Sequence, residues 1–499
     1  TPETNHHMRK GDATSPAQEL HEARPRRWMG SDPLLAAGLG VLATVAALLQ
    51  LFWGQDIGLA DNGDGFRLMC HFGLTKRIDV IADPLVLHYA PVTYGCEPEL
   101  AYLSSQQWLV WPALWVYRLR YESGFDLRAL GILHSALFGL LLAGLYLALP
   151  GRRVTRALTV VLAGALLADV TFVSYFVSPF SEPATFLGLL AVVTATAWYV
   201  RAGGVPWLPL LVLTLATAFL VVAKSQTFVF ALLVVPVLLS RTVETRTLSG
   251  AWRGRVVPAA AGVGLLATAG GHLLQQPPFF VEVNNHNMAF FTLLADSPDP
   301  QSILRSLGVS EDLVRYRGTG YFDPSVEGKE DDPHYREFQR EVDRRDLLAY
   351  LATHPGHWVP LMRTGTEAVS QLRTDYLSNY PVSRPPGELL APRPNPTERL
   401  LGALGGTSWP VLPLVWLTTL VAGAVALFRR SSGTATRARG AVFYLLGATA
   451  LSQVVVSVAG DGYYELVKHT VLAGYATALL FAVGLGVLLP VVGRRLRRA

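Results

Sequence analysis

Residues 34–53 read LLAAGLGVLATVAALLQLFW, a run of 20 residues without a charged side chain. A helix needs about 20 apolar residues to cross the hydrocarbon core of a bilayer. The run follows the basic stretch 24–27 (RPRR), as the apolar part of a signal peptide would. It is too long for that part, and Gln50 to Trp53 form a poor cleavage site, so we expect an uncleaved first membrane helix.

Similar apolar runs recur along the chain of 499 residues, which is 51% hydrophobic and only 16% charged. A soluble protein normally carries about a quarter charged residues. The sequence therefore predicts an all-α polytopic membrane protein with about ten transmembrane helices. The predicted helices are residues 34–53, 129–149, 157–177, 183–200, 206–223, 227–240, 256–274, 409–428, 440–459 and 466–489.

These helices divide the chain into four predicted regions. We expect a disordered cytoplasmic tail in residues 1–31, followed by seven helices in residues 32–274, with a large first outer loop at 54–128. A small extracytoplasmic cap domain is predicted in residues 275–408. The last three helices occupy residues 409–499.

Arginine clusters orient the predicted helices. The net charge is +5, but most of the basic residues lie in short connections between helices, as the positive-inside rule requires. The basic balance therefore indicates membrane topology, and we expect no nucleic-acid partner. The clusters are Arg152, Arg153 and Arg156; Arg241, Arg246, Arg253 and Arg255; Arg429, Arg430, Arg437 and Arg439; and Arg494, Arg495, Arg497 and Arg498.

The chain has two cysteines, Cys70 and Cys96, and both lie in the first outer loop. An oxidising compartment outside the cell membrane permits a disulfide there. We predict that the two residues are bridged; the alternative is a pair of unrelated thiols.

The first outer loop opens on the acidic sequence Asp61-Asn62-Gly63-Asp64-Gly65-Phe66-Arg67. In a helix, Asp61, Asp64 and Arg67 would share one face. Two carboxylates with an arginine can supply a general base or hold a metal ion or a hydroxyl-rich ligand. Because Asp-Asn-Gly and Asp-Gly are strong turn formers, the alternative is an Asx turn.

Two further carboxylates lie close to the predicted outer face. Asp169 is inside the predicted helix 157–177, and Glu182 is in the short outer turn 178–183. Unpaired charge in hydrocarbon is costly, so an intramembrane carboxylate indicates either a functional site or a structural ion pair.

Lysine is rare in the chain, with five residues against 37 arginines. Lys224 and Lys468 stand at predicted outer helix ends, where the positive-inside rule does not place them. A site for an anionic headgroup such as a lipid phosphate would account for them, and snorkelling to ordinary phospholipid is the alternative. After Asp461, the residues Glu465, Lys468 and His469 can share one helical face.

The sequence Asn284-Asn285-His286-Asn287 follows the seventh predicted helix. The side chains of His286 and Asn287 are suited to hydrogen-bonding sugar hydroxyls or phosphate oxygens; the alternative is a polar loop. The sequence contains no P-loop, dinucleotide fingerprint, His-Glu-x-x-His site or serine-nucleophile elbow. It leaves open whether a divalent cation takes part, since no residue pattern requires one.

This layout resembles the glycosyltransferase C (GT-C) superfamily of multi-spanning membrane enzymes. The likeness lies in the cytoplasmic start, the acidic residues early in the first outer loop and the later outer domain. A closer resemblance is to bacterial hexosyltransferase-like proteins of surface (S-layer) glycan assembly. The segments that carry it are Ser174-Tyr175-Phe176 with Ser181-Glu182, Phe290-Phe291 with residues 296–300, Leu307-Gly308-Val309 with Gly318-Thr319-Gly320-Tyr321, and residues 465–469.

The resemblance implies transfer of a sugar from a polyprenyl-phosphate donor to a glycan or lipid acceptor, on the extracytoplasmic side of a bacterial cytoplasmic membrane. Asp61 or Asp64 would be the general base of an inverting displacement. Lys224 and Lys468, with Arg67 and His469, would hold the phosphate. Asp169, Glu182, His286, Asn287, Asp461 and Glu465 would orient the sugar or the acceptor.

Two other classes of protein stay open. A polysaccharide polymerase or ligase with a lipid-diphosphate donor would need an arginine-rich outer face. A lipid or small-molecule transporter would usually carry polar residues at the bilayer midplane, often in repeated halves.

Overall fold

The computed structural model describes residues 32–61, 63–76, 87–92, 103–203, 206–243, 253–374, 377 and 392–496. The predicted tail 1–31 lies outside the described residues. The helices are α1 (Asp32–Phe52), α2 (Phe66–Met69), α3 (Gln106–Arg118), α4 (Arg128–Ala148), α5 (Arg153–Leu167), α6 (Val170–Val173), α7 (Glu182–Arg201), α8 (Trp207–Val221), α9 (Val229–Leu239), α10 (Val256–Leu274), α11 (Pro278–His286), α12 (Leu294–Asp296), α13 (Pro300–Ser306), α14 (Pro333–Glu341), α15 (Arg344–Thr353), α16 (Trp358–Gln371), α17 (Pro396–Gly402), α18 (Ser408–Phe428), α19 (Thr434–Gly460) and α20 (Leu466–Leu496). The strands are β1 (Leu74–Lys76), β2 (His88–Pro91) and β3 (Phe125–Asp126).

Seven of the described helices are long and apolar enough to cross a membrane. Two shorter apolar helices, Trp207–Val221 and Ser225–Leu239, fall where the sequence predicts two short helices joined near Lys224. The all-α polytopic fold is thereby confirmed. The seven long helices are Asp32–Phe52, Arg128–Ala148, Glu182–Arg201, Val256–Leu274, Gly405–Phe428, Thr434–Gly460 and Leu466–Pro490.

The prediction of a continuous helix over residues 157–177 is wrong in one respect, because the helix is interrupted and bent within this range. Helix Arg153–Leu167 and the following segment Val170–Val177 meet at an angle of 63°. Asp169 causes the break: its Oδ1 accepts a hydrogen bond from Thr171 N at 2.8 Å and so starts a new helix. Its Oδ2 accepts from Thr397 N at 2.7 Å, in the first turn of α17.

Glycines allow the long helices to cross at close range. A Cβ added to Gly40 of α1 would lie 2.7 Å from the carbonyl oxygen of Gly139 in α4. A Cβ on Gly423 of α18 would lie 2.3 Å from the backbone nitrogen of Tyr444 in α19. Small residues at such crossings are typical of membrane helix pairs, in which close backbone packing replaces the hydrophobic effect.

At one end of the bundle, several arginines donate hydrogen bonds to backbone carbonyl oxygens at the carboxyl ends of helices. Arg201 donates to Leu149 O at 2.9 Å, Arg241 to Tyr199 O at 2.6 Å, and Arg437 to Ser240 O at 2.6 Å. These carbonyls have no partner within their own helix, so a guanidinium satisfies them and complements the helix dipole. We call this the arginine end of the bundle. The opposite end, where α1 finishes and α20 begins, is called the site end.

A small domain with its own apolar core stands at the site end. The core includes Met288, Phe290, Tyr335, Phe338 and Leu351, all of them buried. It follows α10 and precedes α18, which is where the sequence predicts a cap domain.

A short antiparallel sheet of order β1-β2-β3 also lies in this region and was not predicted from the sequence. Its strands have four residues or fewer, too short for an alternating pattern to be recognised.

Helix α3 carries the aromatic segment of the first predicted outer loop. Trp108, Trp111 and Trp115 are 60%, 63% and 56% exposed. Just before the helix, Ser104 Oγ donates to Ala223 O at 2.6 Å, at the site end of α8. A helix of 13 residues is too short to cross a bilayer, so its exposed tryptophans favour a position at the level of the lipid headgroups.

Replacing Asp169 by alanine removes a cap from two helices that are more than 200 residues apart in sequence. We expect a loss of about 1–3 kcal/mol in stability, because buried N–H groups of α6 and α17 lose their acceptor. Thermal unfolding of the detergent-solubilised protein measures it, with Asp169→Asn as the milder control. An unchanged melting temperature in the alanine variant would contradict the capping role.

Candidate functional site

A polar cavity opens at the site end of the bundle. It contains about 900 Å³ of space, including its open mouth. The charged and imidazole side chains that line it come from four separate segments: the turn before α2 with α2 itself, the start of α7, the junction of α8 and α9, and the connection into α20 with the first turn of that helix. They are Asp64, Arg67, Glu182, Lys224, Asp461, Glu465 and His469.

A tight turn places Asp64 on the cavity wall and keeps Asp61 away from it. Asp61 Oδ1 accepts from Gly63 N and Gly65 N, both at 2.9 Å, and Gly63 has a φ of 109° that only glycine adopts readily. Asp61 Oδ2 accepts from the hydroxyl of Tyr89 in β2 at 2.6 Å. The Asx-turn alternative therefore describes Asp61, which does not line the cavity, while Asp64 does.

Asp64 is held by two cations. Its Oδ1 contacts the Arg67 guanidinium, and its Oδ2 contacts the ammonium of Lys468. Burial alone would raise the pKa of Asp64, but the positive charges of Arg67 and Lys468 outweigh burial and hold that pKa well below its usual value. Asp64 is therefore ionised at neutral pH.

Lys468 lies behind the cavity wall and does not line the cavity. Its side chain is 2% exposed, and its ammonium contacts Asp64 and lies 3.2 Å from Glu465 Oε2. The same ammonium stands 4.7 Å from the centre of the Phe180 ring. The sequence predicts that Lys468 contacts a phosphate directly, but the burial of its ammonium argues against such a contact.

A second ion pair and a polar chain complete the site. Lys224 Nζ lies 2.8 Å from Glu182 Oε1 and 3.4 Å from His469 Nδ1. His469 Nε2 lies 3.2 Å from Asp461 Oδ2, and Asn287 Nδ2 donates to Asp461 Oδ1 at 2.9 Å. Asn287 thus reaches from the small domain to position Asp461, rather than lining the cavity.

Besides Asp61, two further sequence candidates lie outside this site, and the predicted cysteine bridge cannot be placed. His286 is buried in the small domain, where its Nδ1 lies 2.8 Å from the Tyr335 hydroxyl and its Nε2 lies 3.2 Å from Thr319 O. Asp169 caps α6 and α17, as described above. Cys70 is buried after α2, but Cys96 lies outside the described residues, so the predicted bridge stays a prediction.

Some lining residues were not singled out from the sequence. Phe280 and Tyr464 line the cavity beside the charged groups. Asn284, which belongs to the polar segment 284–287 already marked as a candidate by the sequence, lines it as well. Behind them, Gln226 Nε2 donates to His469 O at 2.9 Å. The signal for Gln226 was the polar interruption Lys224-Ser225-Gln226 in an apolar stretch, but nothing local marks Phe280 as different from other aromatic residues at helix ends. Within the described part of the chain, no group of three or more His, Cys, Asp or Glu side chains is placed to hold a metal ion.

The fold and the cavity define a polytopic membrane protein with an ion-paired polar site at one end of its helix bundle. The chain belongs to the family described as the YfdI N-terminal transmembrane domain, which it matches over residues 26–497. No curated protein sequence matches it.

Among solved structures, the chain is similar to the archaeal oligosaccharyltransferase AglB from Archaeoglobus fulgidus in complex with an inhibitory peptide and a dolichol-phosphate, with 13% identity, a TM-score of 0.40, and coverage of 93% of this chain and 51% of that one. It is also similar to the apo form of the Archaeoglobus fulgidus oligosaccharyltransferase, with 11% identity, a TM-score of 0.39, and coverage of 90% and 50%. The chain thus spans about half the length of these structures. The resemblance to hexosyltransferase-like proteins of S-layer glycan assembly stays a prediction.

His286 predicts a pH dependence of stability. Burial, helped by the nearby Lys329 charge, lowers the pKa of His286 to about 4. Below its ordinary pKa of about 6.5 the unfolded chain binds a proton that the folded protein excludes, so stability falls as the pH drops from about 6.5 to 4. The loss is at most about 3.4 kcal/mol, since each pKa unit corresponds to about 1.36 kcal/mol.

Unfolding midpoints of the wild type and His286→Gln, measured between about pH 4 and 7, test this titration. The variant should show a smaller loss of stability on acidification. Parallel curves for the two proteins would show that His286 does not exclude a proton on folding.

Proposed function

We propose that this protein is a membrane glycosyltransferase that moves a sugar from a polyprenyl-phosphate donor to a glycan or lipid acceptor. Asp64 is the general base, and the displacement inverts the anomeric centre. The observation that carries the proposal is the convergence of Asp64, Arg67, Glu182 and Lys224 on one cavity from distant segments of the chain.

The position of the cavity suits a lipid-linked donor. Gln276 and Pro277 line it and follow directly on α10, whose last residue, Leu274, is 89% exposed. An exposed leucine at the end of a membrane helix faces lipid. The prenyl chain can therefore stay in the bilayer while its phosphate enters the cavity beside α10.

The charges of the cavity favour a donor with a single phosphate. Arg67 and Lys224 line the wall with Lys468 behind it, against four carboxylates: Asp64, Glu182, Asp461 and Glu465. A sugar phosphodiester brings one negative charge and a diphosphate brings two. The site already has one more carboxylate than cations, so each added negative charge is repelled, and the two charges of a diphosphate cost more than the one charge of a monophosphate where water is scarce. This balance supports the monophosphate donor over the diphosphate donor of a polymerase or ligase.

In the proposed reaction the phosphate is bound by Arg67 and Lys224. The phosphate shares Arg67 with Asp64, which loosens one of the two contacts on that carboxylate. Asp64 then accepts the proton of the acceptor hydroxyl while the oxygen of that hydroxyl bonds to the anomeric carbon. The bond from that carbon to the phosphate oxygen breaks, and the two cations stabilise the departing phosphate.

A transporter would need a polar route through the bundle. Below the cavity, the described residues pack as buried aromatic rings: Phe186 stacks on Tyr475 at 4.8 Å, and Phe172 meets Tyr475 at 5.1 Å. This packing favours a site that opens at one end only.

Replacing Asp64 by asparagine should lower the transfer rate by about 100-fold or more, since a general base contributes on the order of 10²–10⁴. Asp61→Asn should instead lower the melting temperature, because the amide cannot accept all three hydrogen bonds of the turn. The two variants are distinguished by the rate of sugar transfer from a polyprenyl-phosphate hexose, measured with purified protein in lipid nanodiscs. Full activity of the folded Asp64 variant would exclude the mechanism.

The donor contacts can be tested by removing an ion pair as a unit. Lys224→Met combined with Glu182→Gln avoids leaving a buried carboxylate unpaired, which alone would cost about 3–5 kcal/mol. We expect the donor KM to rise by about tenfold or more, because one cation no longer holds the phosphate. The exposed Arg345→Gln on α15 is the matched control. Equal donor KM values in the Lys224→Met/Glu182→Gln and Arg345→Gln variants would show that Lys224 does not bind the donor phosphate.

A further inference from the structure

Lys468 differs from the other cations of the site in where its ammonium can reach. Arg67 and Lys224 line the cavity, whereas Lys468 is 2% exposed and does not. Its two carboxylate partners, Asp64 and Glu465, do line the cavity. Lys468 is therefore separated from a bound substrate by the carboxylates that it holds.

The ammonium has little capacity left for a phosphate. A lysine side chain has three donors. One is directed at Asp64 and one at Glu465, and the Phe180 ring covers another side of the ammonium at 4.7 Å. To meet a phosphate, the Lys468 ammonium would have to leave its buried position and weaken its contacts with both carboxylates, and Asp64 would then keep only Arg67 of its two cations.

We propose that Lys468 is a positioning residue, which holds Asp64 and Glu465 side by side on the cavity wall while Arg67 and Lys224 receive the donor phosphate. This inference rests on the proposed function, because it explains how Lys468 holds the proposed base, Asp64, during proton transfer. It also gives Glu465 a fixed place beside Asp64, where a second carboxylate can accept a hydrogen bond from a sugar or acceptor hydroxyl.

This arrangement makes Lys468 an electrostatic partner of the base. The charged and titratable groups that face Asp64 are Arg67 from its own turn, Glu182 from α7, and Tyr464, Glu465 and Lys468 around the start of α20. Removing the Lys468 charge leaves Asp64 with Arg67 and two neighbouring carboxylates. The pKa of Asp64 then rises, and the acid limb of the rate profile moves to higher pH.

The test compares Lys468→Met and Lys468→Arg with the Lys224→Met/Glu182→Gln variant as the matched control for a true phosphate contact. We expect Lys468→Met to lower kcat by about 10- to 100-fold, because the base is misplaced, while the donor KM stays within about twofold. The acid limb of kcat should shift upward, and Lys468→Arg should restore part of the rate. The control should raise the donor KM and leave the acid limb in place.

Binding of a sugar-free polyprenyl phosphate, measured by microscale thermophoresis in nanodiscs, gives a readout that does not depend on catalysis. Lys468→Met should bind it as the wild type does, and the Lys224→Met/Glu182→Gln variant should bind it about tenfold more weakly. If Lys468→Met does not fold, the charge-matched Lys468→Met/Glu465→Gln variant replaces it in this assay.

A loss of polyprenyl phosphate binding in the Lys468 variants, with an unshifted acid limb, would make Lys468 a phosphate ligand and overturn the inference. Full activity of Lys468→Met would overturn it as well. These outcomes differ from failure of the proposed function, in which the wild type neither binds the polyprenyl phosphate nor transfers sugar from any polyprenyl-phosphate donor.

Discussion

A charge at the end of a membrane bundle needs a partner, which is either an opposite charge or a group that accepts or donates a hydrogen bond. At the site end, Lys468 is enclosed with Asp64 and Glu465, and Lys224 with Glu182. In two of these pairs, Asp64 with Lys468 and Glu182 with Lys224, the partners are distant in the sequence, whereas Glu465 is three residues from Lys468. The pairing therefore fixes how α7, α8 and α20 meet, and the cavity is the space that their charged ends surround.

The two ends of the bundle solve the same problem in different ways. At the arginine end, guanidinium groups such as those of Arg201 and Arg437 bind backbone carbonyls at helix ends and need no carboxylate. At the site end, lysines bind carboxylates, and those carboxylates face an open cavity. The arginines at the arginine end stabilise the helix bundle, whereas the ion pairs at the site end keep charged groups within reach of a ligand.

Much of this fold follows from the sequence, because a helix that crosses a bilayer must be long and apolar. The short helices on either side of Lys224 were predicted at 206–223 and 227–240, because two apolar runs there are separated by the polar residues Lys224, Ser225 and Gln226. The break at Asp169 was missed, since its second partner, Thr397, is more than 200 residues away and no local pattern shows it. The convergence of Asp64, Lys224, Lys468 and His469 could be suspected from their shared position at predicted outer helix ends.

The separate tasks of neighbouring residues could not be read from the sequence. Asp61 and Asp64 are both acidic and three residues apart, yet one closes a turn through Tyr89 and the other faces the cavity. His286 and Asn287 are adjacent, yet one packs in the small domain and the other reaches Asp461. In each case the choice depends on partners that folding brings from a distant part of the chain.

The contribution of α20 to the site has a consequence for biosynthesis. Asp64, Glu182 and Lys224 are made early in the chain, but Glu465, Lys468 and His469 arrive only with α20. Until α20 inserts, Asp64 lacks Lys468 and the cavity lacks one wall. A ribosome-bound or truncated chain that ends before α20 therefore has an incomplete cavity, however well its earlier helices have assembled.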